Sequence, residues 1–474
     1  MTAPDVSVSP ATTPRNASTV IWLLVGSAFV MILNETIMSV ALPVLVTDLD
    51  VSVGTAQWLT SGFLLTMSVV IPITGFLLQR LTPRTIYLAS MSLFSLGTLI
   101  CALSPGFGLL FVGRIVQALG TAVMVPLLMT SVIRLVPVEQ RGAKMGMISL
   151  VIAVAPAIGP TVSGVILTTL SWRWMFLVVL PIALIALAMG AAFLKLHSET
   201  RAIPLDWVSV VLSALAFGGL VFGLSLIGEA ARGASAVSPW VPIAVGVVTL
   251  ALFVARQLRL QPAGKALLDL RPLSHRSFTV PLILMILGMM SLFGVLILLP
   301  LYMQDVLHVS AFVTGLAVLP GGLVMGILGP FVGRLYDRVG ARPLAVPGTV
   351  VLALALWGFT TLGESTPIAM LIGLHVALVV GLSFMFTPLM TDALGRLPSE
   401  LDSYGSAILT TLQQVAGAAG TALFVTLMVA FASTPDVAAD VTGARAAFVC
   451  AAIIATVAVP VSLLVGGKKK AAVA

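Results

Sequence analysis

Charge is what this sequence has least of. Its 474 residues include only 24 Lys+Arg and 17 Asp+Glu, 9% of the chain, against about 25% in an ordinary soluble domain. Ionised side chains keep a globular surface wet, so a chain this poor in them excludes a soluble enzyme, a nucleic-acid binder and a disordered tail. Apolar residues make up 59% and the mean hydropathy is +1.15, a composition that a lipid bilayer solvates well. Cysteine is nearly absent too. Cys101 and Cys450 each lie alone in an apolar stretch without metal-ligand spacing, so they read as buried free thiols and no metal site is expected. Four scattered histidines and two isolated cysteines supply no convergent nucleophile, base or metal set, which argues against a membrane-embedded enzyme. No phosphate-cradling G-x-x-x-x-G-K-[ST] loop occurs, so ATP is not the expected energy source.

What the sequence does have is long apolar runs. A membrane helix needs about 20 mostly apolar residues, because the hydrocarbon slab is about 30 Å thick and each residue rises about 1.5 Å. Fourteen such stretches lie near 19–46, 56–79, 85–104, 107–133, 142–169, 174–195, 206–229, 237–257, 277–301, 312–333, 343–362, 367–391, 404–431 and 444–466. Each is expected to be helical, since backbone groups in lipid must be satisfied within the segment. The connections are short, leaving no room for a separate soluble domain.

Basic residues assign the two sides. With the amino terminus in the cytoplasm, 20 of the 24 Lys and Arg fall on the cytoplasmic side. Arg173, Arg232 and Arg445 fall outside, and Arg114 lies within a span. Positive residues are retained in the cytoplasm, and an even number of spans then puts both termini there. The expected location is the cell inner (plasma) membrane. The net charge of +7 is therefore a topology signal with a mild attraction to anionic lipid headgroups, and no nucleic-acid partner is implied. Residues 1–18 lack the basic region and cleavage site of a signal peptide and read as a flexible cytoplasmic tail. Residues 467–474 read as a basic one.

Two cytoplasmic loops repeat one pattern. The first is Gly75-Phe-Leu-Leu-Gln79-Arg80-Leu-Thr-Pro-Arg84; the second is Gly333-Arg-Leu-Tyr-Asp337-Arg338-Val-Gly-Ala-Arg342. Gly, Leu and both Arg coincide without gaps at an offset of 258 residues, which is eight spans. Six-span bundles at 19–200 and 273–466, with two inserted helices in 201–272, follow from that offset. Parallel halves around a central cavity are a transporter architecture. Asp337 is expected at a helix end, holding Arg338 or Arg342 in a charge network that fastens the inward face. Gln79 replaces the acid in the first copy, so that fastening is expected to be weaker.

These motifs carry a specific resemblance. The pattern G-x-L-x-D-R-x-G-x-R is similar to the signature loop of the major facilitator superfamily. Leu110-x-x-x-Arg114-x-x-Gln117-x-x-Gly120 resembles its proton-coupling arginine motif. Ala155-Pro156-Ala-Ile-Gly159-Pro160-Thr-Val-Ser163-Gly164 resembles its antiporter motif. Trp172-Arg173-Trp174-Met-Phe176 and Thr36-Ile-Met-Ser-Val-Ala41-Leu42-Pro43 resemble the fourteen-span drug:proton antiporters, and Leu33-Asn34-Glu35-Thr36 is similar to their lincomycin-resistance branch. The resemblance covers residues 19–466. It implies an all-α polytopic fold, and a hinge at Pro156, Gly159, Pro160 and Gly164 that works against the opposite half and favours export.

Charges inside a membrane are costly and therefore point to function. Glu35 lies near the middle of span 1, where burial disfavours the ionised carboxylate, so it can exchange protons and couple them to substrate. Many antiporters of the resembled family carry Asp at the position of Asn34, and one residue turns a side chain by about 100°; either Glu35 or Asn34 faces the cavity. Arg114 cannot shed its proton and needs a partner in Glu35, a carbonyl, Gln117 or the substrate. By resemblance, Arg114 helps Glu35 release its proton. Met31, Met38, Gln117, His375 and Gln413 complete the expected cavity. Gly75, Arg80, Arg84, Gly333, Asp337, Arg338 and Arg342 form the expected cytoplasmic gate. Spans 10 and 13 read as free of Asp and Glu, which favours neutral, zwitterionic or monocationic lipophilic substrates over dications.

The expected function is export of small molecules, lincosamide-like antibiotics among them, in exchange for protons by alternating access. No cofactor beyond the proton gradient is expected, and the partners are substrate, protons and membrane lipid, with the protein acting as a monomer. Export of fatty acids or an endogenous metabolite, or facilitated uptake on the same fold, are the alternative readings.

Overall fold

The computed structural model describes residues 17–194, 205–231, 238–433 and 440–466. Nearly all of the two expected tails, and Lys195, Arg201, Arg232 and Lys468–Lys470 among the basic residues, lie outside this set. Every apolar run forms a helix. The fourteen are α1 (Ala17–Asp48), α2 (Val53–Arg80), α3 (Pro83–Ala102), α4 (Phe107–Leu135), α5 (Arg141–Thr169), α6 (Trp174–Phe193), α7 (Trp207–Ala231), α8 (Trp240–Leu260), α9 (Arg276–Leu301), α10 (Ala311–Val339), α11 (Arg342–Phe359), α12 (Ile368–Gly395), α13 (Asp402–Ala430) and α14 (Val441–Ser462). All fourteen are long and apolar enough to cross a membrane.

Local chemistry sets several helix starts. Ser52, Thr82, Ser310 and Asp440 each accept a backbone N–H of the first turn, from Thr55, Thr85, Val313 and Gly443, which satisfies donors that the helix itself leaves orphaned. Apolar runs stop at the first charge, but the helices do not. α10 continues through Asp337, α12 through Asp392, and α13 begins at Asp402. The expectation that spans 10 and 13 lack acids is corrected accordingly, because helix ends carry charge where bundle packing or headgroups meet it.

Helices α1–α6 pack among themselves through the α3–α4, α1–α5, α2–α4 and α3–α6 pairs, and α9–α14 through α11–α12, α9–α13, α10–α12 and α11–α14. Between the groups α5 lies along α10, and α2 along α13. The α5–α10 crossing is built on glycine. Gly142 lies against the Gly333 carbonyl and Gly146 against the Gly329 carbonyl, so close that a Cβ at either site would overlap backbone. Small residues four apart let two helices touch main chain to main chain, which compensates for the missing hydrophobic drive inside lipid.

Helices α7 and α8 form a hairpin, and α7 also lies against both α2 and α13. At its basic end the Arg256 guanidinium donates twice to the Asp206 carboxylate, at 2.7 and 2.8 Å. Gln257 donates to Ser209 at 2.7 Å and accepts the Leu267 and Leu268 amides at 2.8 and 3.2 Å. The guanidinium bond, with Ser209 as a further donor, holds the Asp206 carboxyl down at about 2.

Two outcomes follow from this packing. Gly146→Leu should destabilise the closed α5–α10 crossing by about 1–3 kcal/mol, the usual cost of overpacking, whereas Gly164→Ala, with nothing within 4 Å of its Cβ, should be neutral. Accessibility of a cysteine introduced at the exposed Arg334, near the basic end of α10, measures both in vesicles. The Asp206–Arg256 contribution should be complete above the ordinary carboxylate value of about 3.9 and fade as pH falls through about 2. The melting-temperature gap between the parent and Asp206→Asn should therefore be constant from pH 7 to about 5 and shrink below that.

Candidate functional site

Arg114 sits inside α4 with no exposure. Its Nη1 donates to Gln117 Oε1 at 3.0 Å and to Asn34 Oδ1 at 3.3 Å, and its Nε to the Leu59 carbonyl at 3.4 Å. The guanidinium lies over the Phe63 ring, 4.2 Å from its centroid, a cation–π contact that is worth most where water is excluded. Nη2 finds no acceptor. Four helices thus converge on one cation: α1 through Asn34, α2 through Leu59 and Phe63, α4 itself, and α3 through Thr98, which accepts from Gln117 at 2.8 Å.

Glu35 stands one residue beyond Asn34 on α1. It is half-buried, within electrostatic reach of Arg114, and makes no ion pair with it among the described residues. Of the two adjacent side chains, Asn34 is the buried one that turns to the arginine, at 2% exposure. Arg114 therefore draws its direct bonds from neutral dipoles, and Glu35 acts on it only through space.

The other expected cavity residues divide. Gln413 is half-buried on α13. Met31 and Met38 are closed into apolar clusters and Gln117 into the α3–α4 contact, where its backbone and side chain meet Gly97. His375, 2% exposed, lies against Gly321 of α10, and its Nδ1 has no partner. These four pack between helices instead of lining open space, because each faces a helix neighbour at a glycine or within an apolar cluster.

On α5 the motif residues face elsewhere than expected. Gly159 packs against Thr36 of α1, inside its own bundle, and Gly164 has nothing within 4 Å. Pro156 is half-buried, and Pro160 belongs to α5 with its side chain outside the described set. The part of α5 that meets the opposite bundle starts earlier, at the Gly142–Gly146 pair, and runs through Ser149 to Val154, which lies against Gly326. That pair, with Gly329 and Gly333, is legible as two G-x-x-x-G spacings.

Hydrogen bonds join α1–α6 to α9–α14 on the basic side of the midplane. Asp337 accepts the Gly142 and Ala143 amides at 2.8 and 3.0 Å, and Gln79 donates to the Glu400 carbonyl at 2.6 Å. Thr130 meets Ser406 at 2.9 Å, Arg134 donates to Ser403 at 3.1 Å, and Thr387 to Ser149 at 2.8 Å. Asp337 thus caps the N-terminus of α5, where exposed N–H groups and the helix dipole favour an anion. Gly75 presses on Tyr404 and Ser403 of α13. Arg80 lies over Phe76 at 5.8 Å, and Arg84 donates to the Ala191 carbonyl at 2.8 Å. Arg338 ends α10 and Arg342 opens α11. Sequence reasoning missed Asp392, which binds Arg396 at 2.7 Å, and Asp402; an acid just past an apolar run is the signal for both.

Removing an acceptor from a buried cation costs about 1.5–3 kcal/mol. Gln117→Leu should therefore lower the melting temperature clearly while leaving membrane insertion intact, and a thermal scan in detergent checks it.

Known proteins place this arrangement. The Major Facilitator Superfamily profile matches residues 24–421. The lincomycin resistance protein LmrB of Listeria monocytogenes is 42% identical over 402 residues, 85% of this chain and 84% of that one. LmrB of Bacillus subtilis is 39% identical over 446 residues, 92% of each chain. The crystal structure of the human organic anion transporter MFSD10 has the same fold, with a TM-score of 0.66 at 15% identity, covering 94% of this chain and 99% of that one. The chain belongs to the Major Facilitator Superfamily, a family of multi-pass membrane transporters and not of enzymes.

Proposed function

We propose that the protein is a proton-driven exporter of lipophilic small molecules that are neutral, zwitterionic or singly cationic. In this reading residues 19–200 and 273–466 rock against each other as a monomer in the inner (plasma) membrane. The basic face and both termini are cytoplasmic, and the proton gradient replaces any cofactor. The observation that carries it is the Glu35–Arg114 arrangement. Glu35 is a half-buried carboxyl at mid-membrane that is not spent in a fixed ion pair, beside a guanidinium held only by neutral groups. Such a carboxyl is available to a proton in one state and to a substrate in another, while Arg114 favours release of the proton. Relatives named lincomycin resistance proteins support a lincosamide-like antibiotic as one substrate.

The seal on the basic side supports export by alternating access. A transporter closed toward the cytoplasm is poised to release substrate outward and take up a proton there. Glu35→Gln should reduce pH-gradient-driven efflux in everted vesicles to background while the protein reaches the membrane at parental levels. Export at the full rate by that variant removes the proton role. A compound-resistance panel in a pump-deficient host, paired with substrate-induced proton release, identifies the substrate class.

A further inference from the structure

The two seams between the bundles are equivalent in the internal repeat but differ in where they keep their acid. At α10–α5, Asp337 on the loop helix has both carboxylate oxygens bonded to backbone amides. At α2–α13 the matching position is Gln79, which reaches the Glu400 carbonyl, and the acid stands on the opposite helix as Asp402. Asp402 is 4% exposed, and its Oδ1 has no hydrogen-bond partner. The helices packed against α13 bring charge to this end of the bundle through Arg134 of α4, Arg80 of α2, Arg276 of α9 and Asp392 of α12, with Glu400 just before α13 and Arg141 at the start of α5. Arg134 and Arg141 are the two that act on the Asp402 carboxyl. Neither pairs with it within 4.0 Å among the described residues; Arg134 is turned to Ser403 and Arg141 to the Val136 carbonyl, both at 3.1 Å.

We infer that Asp402 is a further proton-binding site, one that holds a proton while the basic face is sealed and releases it when the α2–α13 seam opens. The inference rests on alternating access and not on the role given to Glu35. In the sealed seam an ionised Asp402 would keep one oxygen without a donor in a place closed to water, which a charged carboxylate does not tolerate and a protonated one does. Opening the seam hydrates the carboxyl and favours ionisation. The sealed state therefore binds the proton more tightly, and by linkage lower pH must favour sealing. Asp337 has no such freedom, because its amide partners fix the anion. One seam is constant and its counterpart responds to protons.

The test uses the full-length protein in proteoliposomes, with Cys101 and Cys450 replaced by Ser and spin labels at Thr85 and Ser399. Both label sites are exposed and lie on opposite sides of this seam. Lowering the pH from 8.5 toward 5.5 should raise the ratio of short to long label distances by up to about tenfold per unit, the limit for one proton. Asp402→Asn should stay sealed, with less than about a twofold change across that range. Arg134→Gln removes a cation that favours the ionised carboxyl, so its midpoint should move to higher pH; it also decides the matter if Asp402→Asn does not fold. Glu35→Gln should titrate at this seam like the parent, whatever its effect on efflux. A parent without a pH response, an Asp402→Asn variant that keeps the parental response, or an Arg134→Gln midpoint that stays or falls overturns the inference.

Discussion

The approach of α5 to α10, glycine against backbone, is the constraint on which the sealed state depends. Inside lipid, no hydrophobic gain draws two helices together, so contact rests on van der Waals packing and on polar groups that find partners. Gly142 and Gly146 supply the first by offering no side chain where Gly333 and Gly329 arrive. The second follows from the first. With the helices this close, the start of α5 lies beneath Asp337, and two orphan amides meet a carboxylate. A side chain at either glycine would lift the cap away from its acid, so packing and electrostatics form one device.

Arg114 presents the opposite problem, a cation that must be kept in a place that penalises it. Burying an unpaired charge is expensive, and the bundle meets the cost without neutralising it. Amide oxygens, a carbonyl and an aromatic face surround the guanidinium, and each contributes a partial negative charge. The net charge survives as a fixed positive field in the middle of the first bundle. A nearby carboxyl feels that field without being locked by it, unlike the carboxyl of the Asp206–Arg256 salt bridge.

Much of this was legible in the sequence. Fourteen apolar runs became fourteen helices because lipid permits no other solution for the backbone. Arg114 and Glu35 stood out because charge is rare at that depth, and the repeated loops located the seams. What sequence could not supply was direction around each helix. Whether Asn34 or Glu35 touches Arg114 turns on about 100° of rotation, and that rotation is set by packing against four helices at once. The same holds for Gly159, which faces α1, while Gly146, between three and four turns earlier, faces α10. Asp392 and Asp402 escaped for another reason: apolar runs end where charge begins, whereas helices at a sealed interface continue into it.

The α7–α8 hairpin makes the molecule unequal around its girdle. α7 touches both α2 and α13, so a third helix lies across that seam. No fully membrane-spanning helix of the hairpin covers α5–α10, and Ile327 and Phe331 stand open there, 72% and 57% exposed. A molecule dissolved in the bilayer leaflet therefore meets a shuttered flank on one side of the protein and a bare one on the other. Sideways traffic between lipid and the interior is given a compass bearing by two helices that belong to neither bundle.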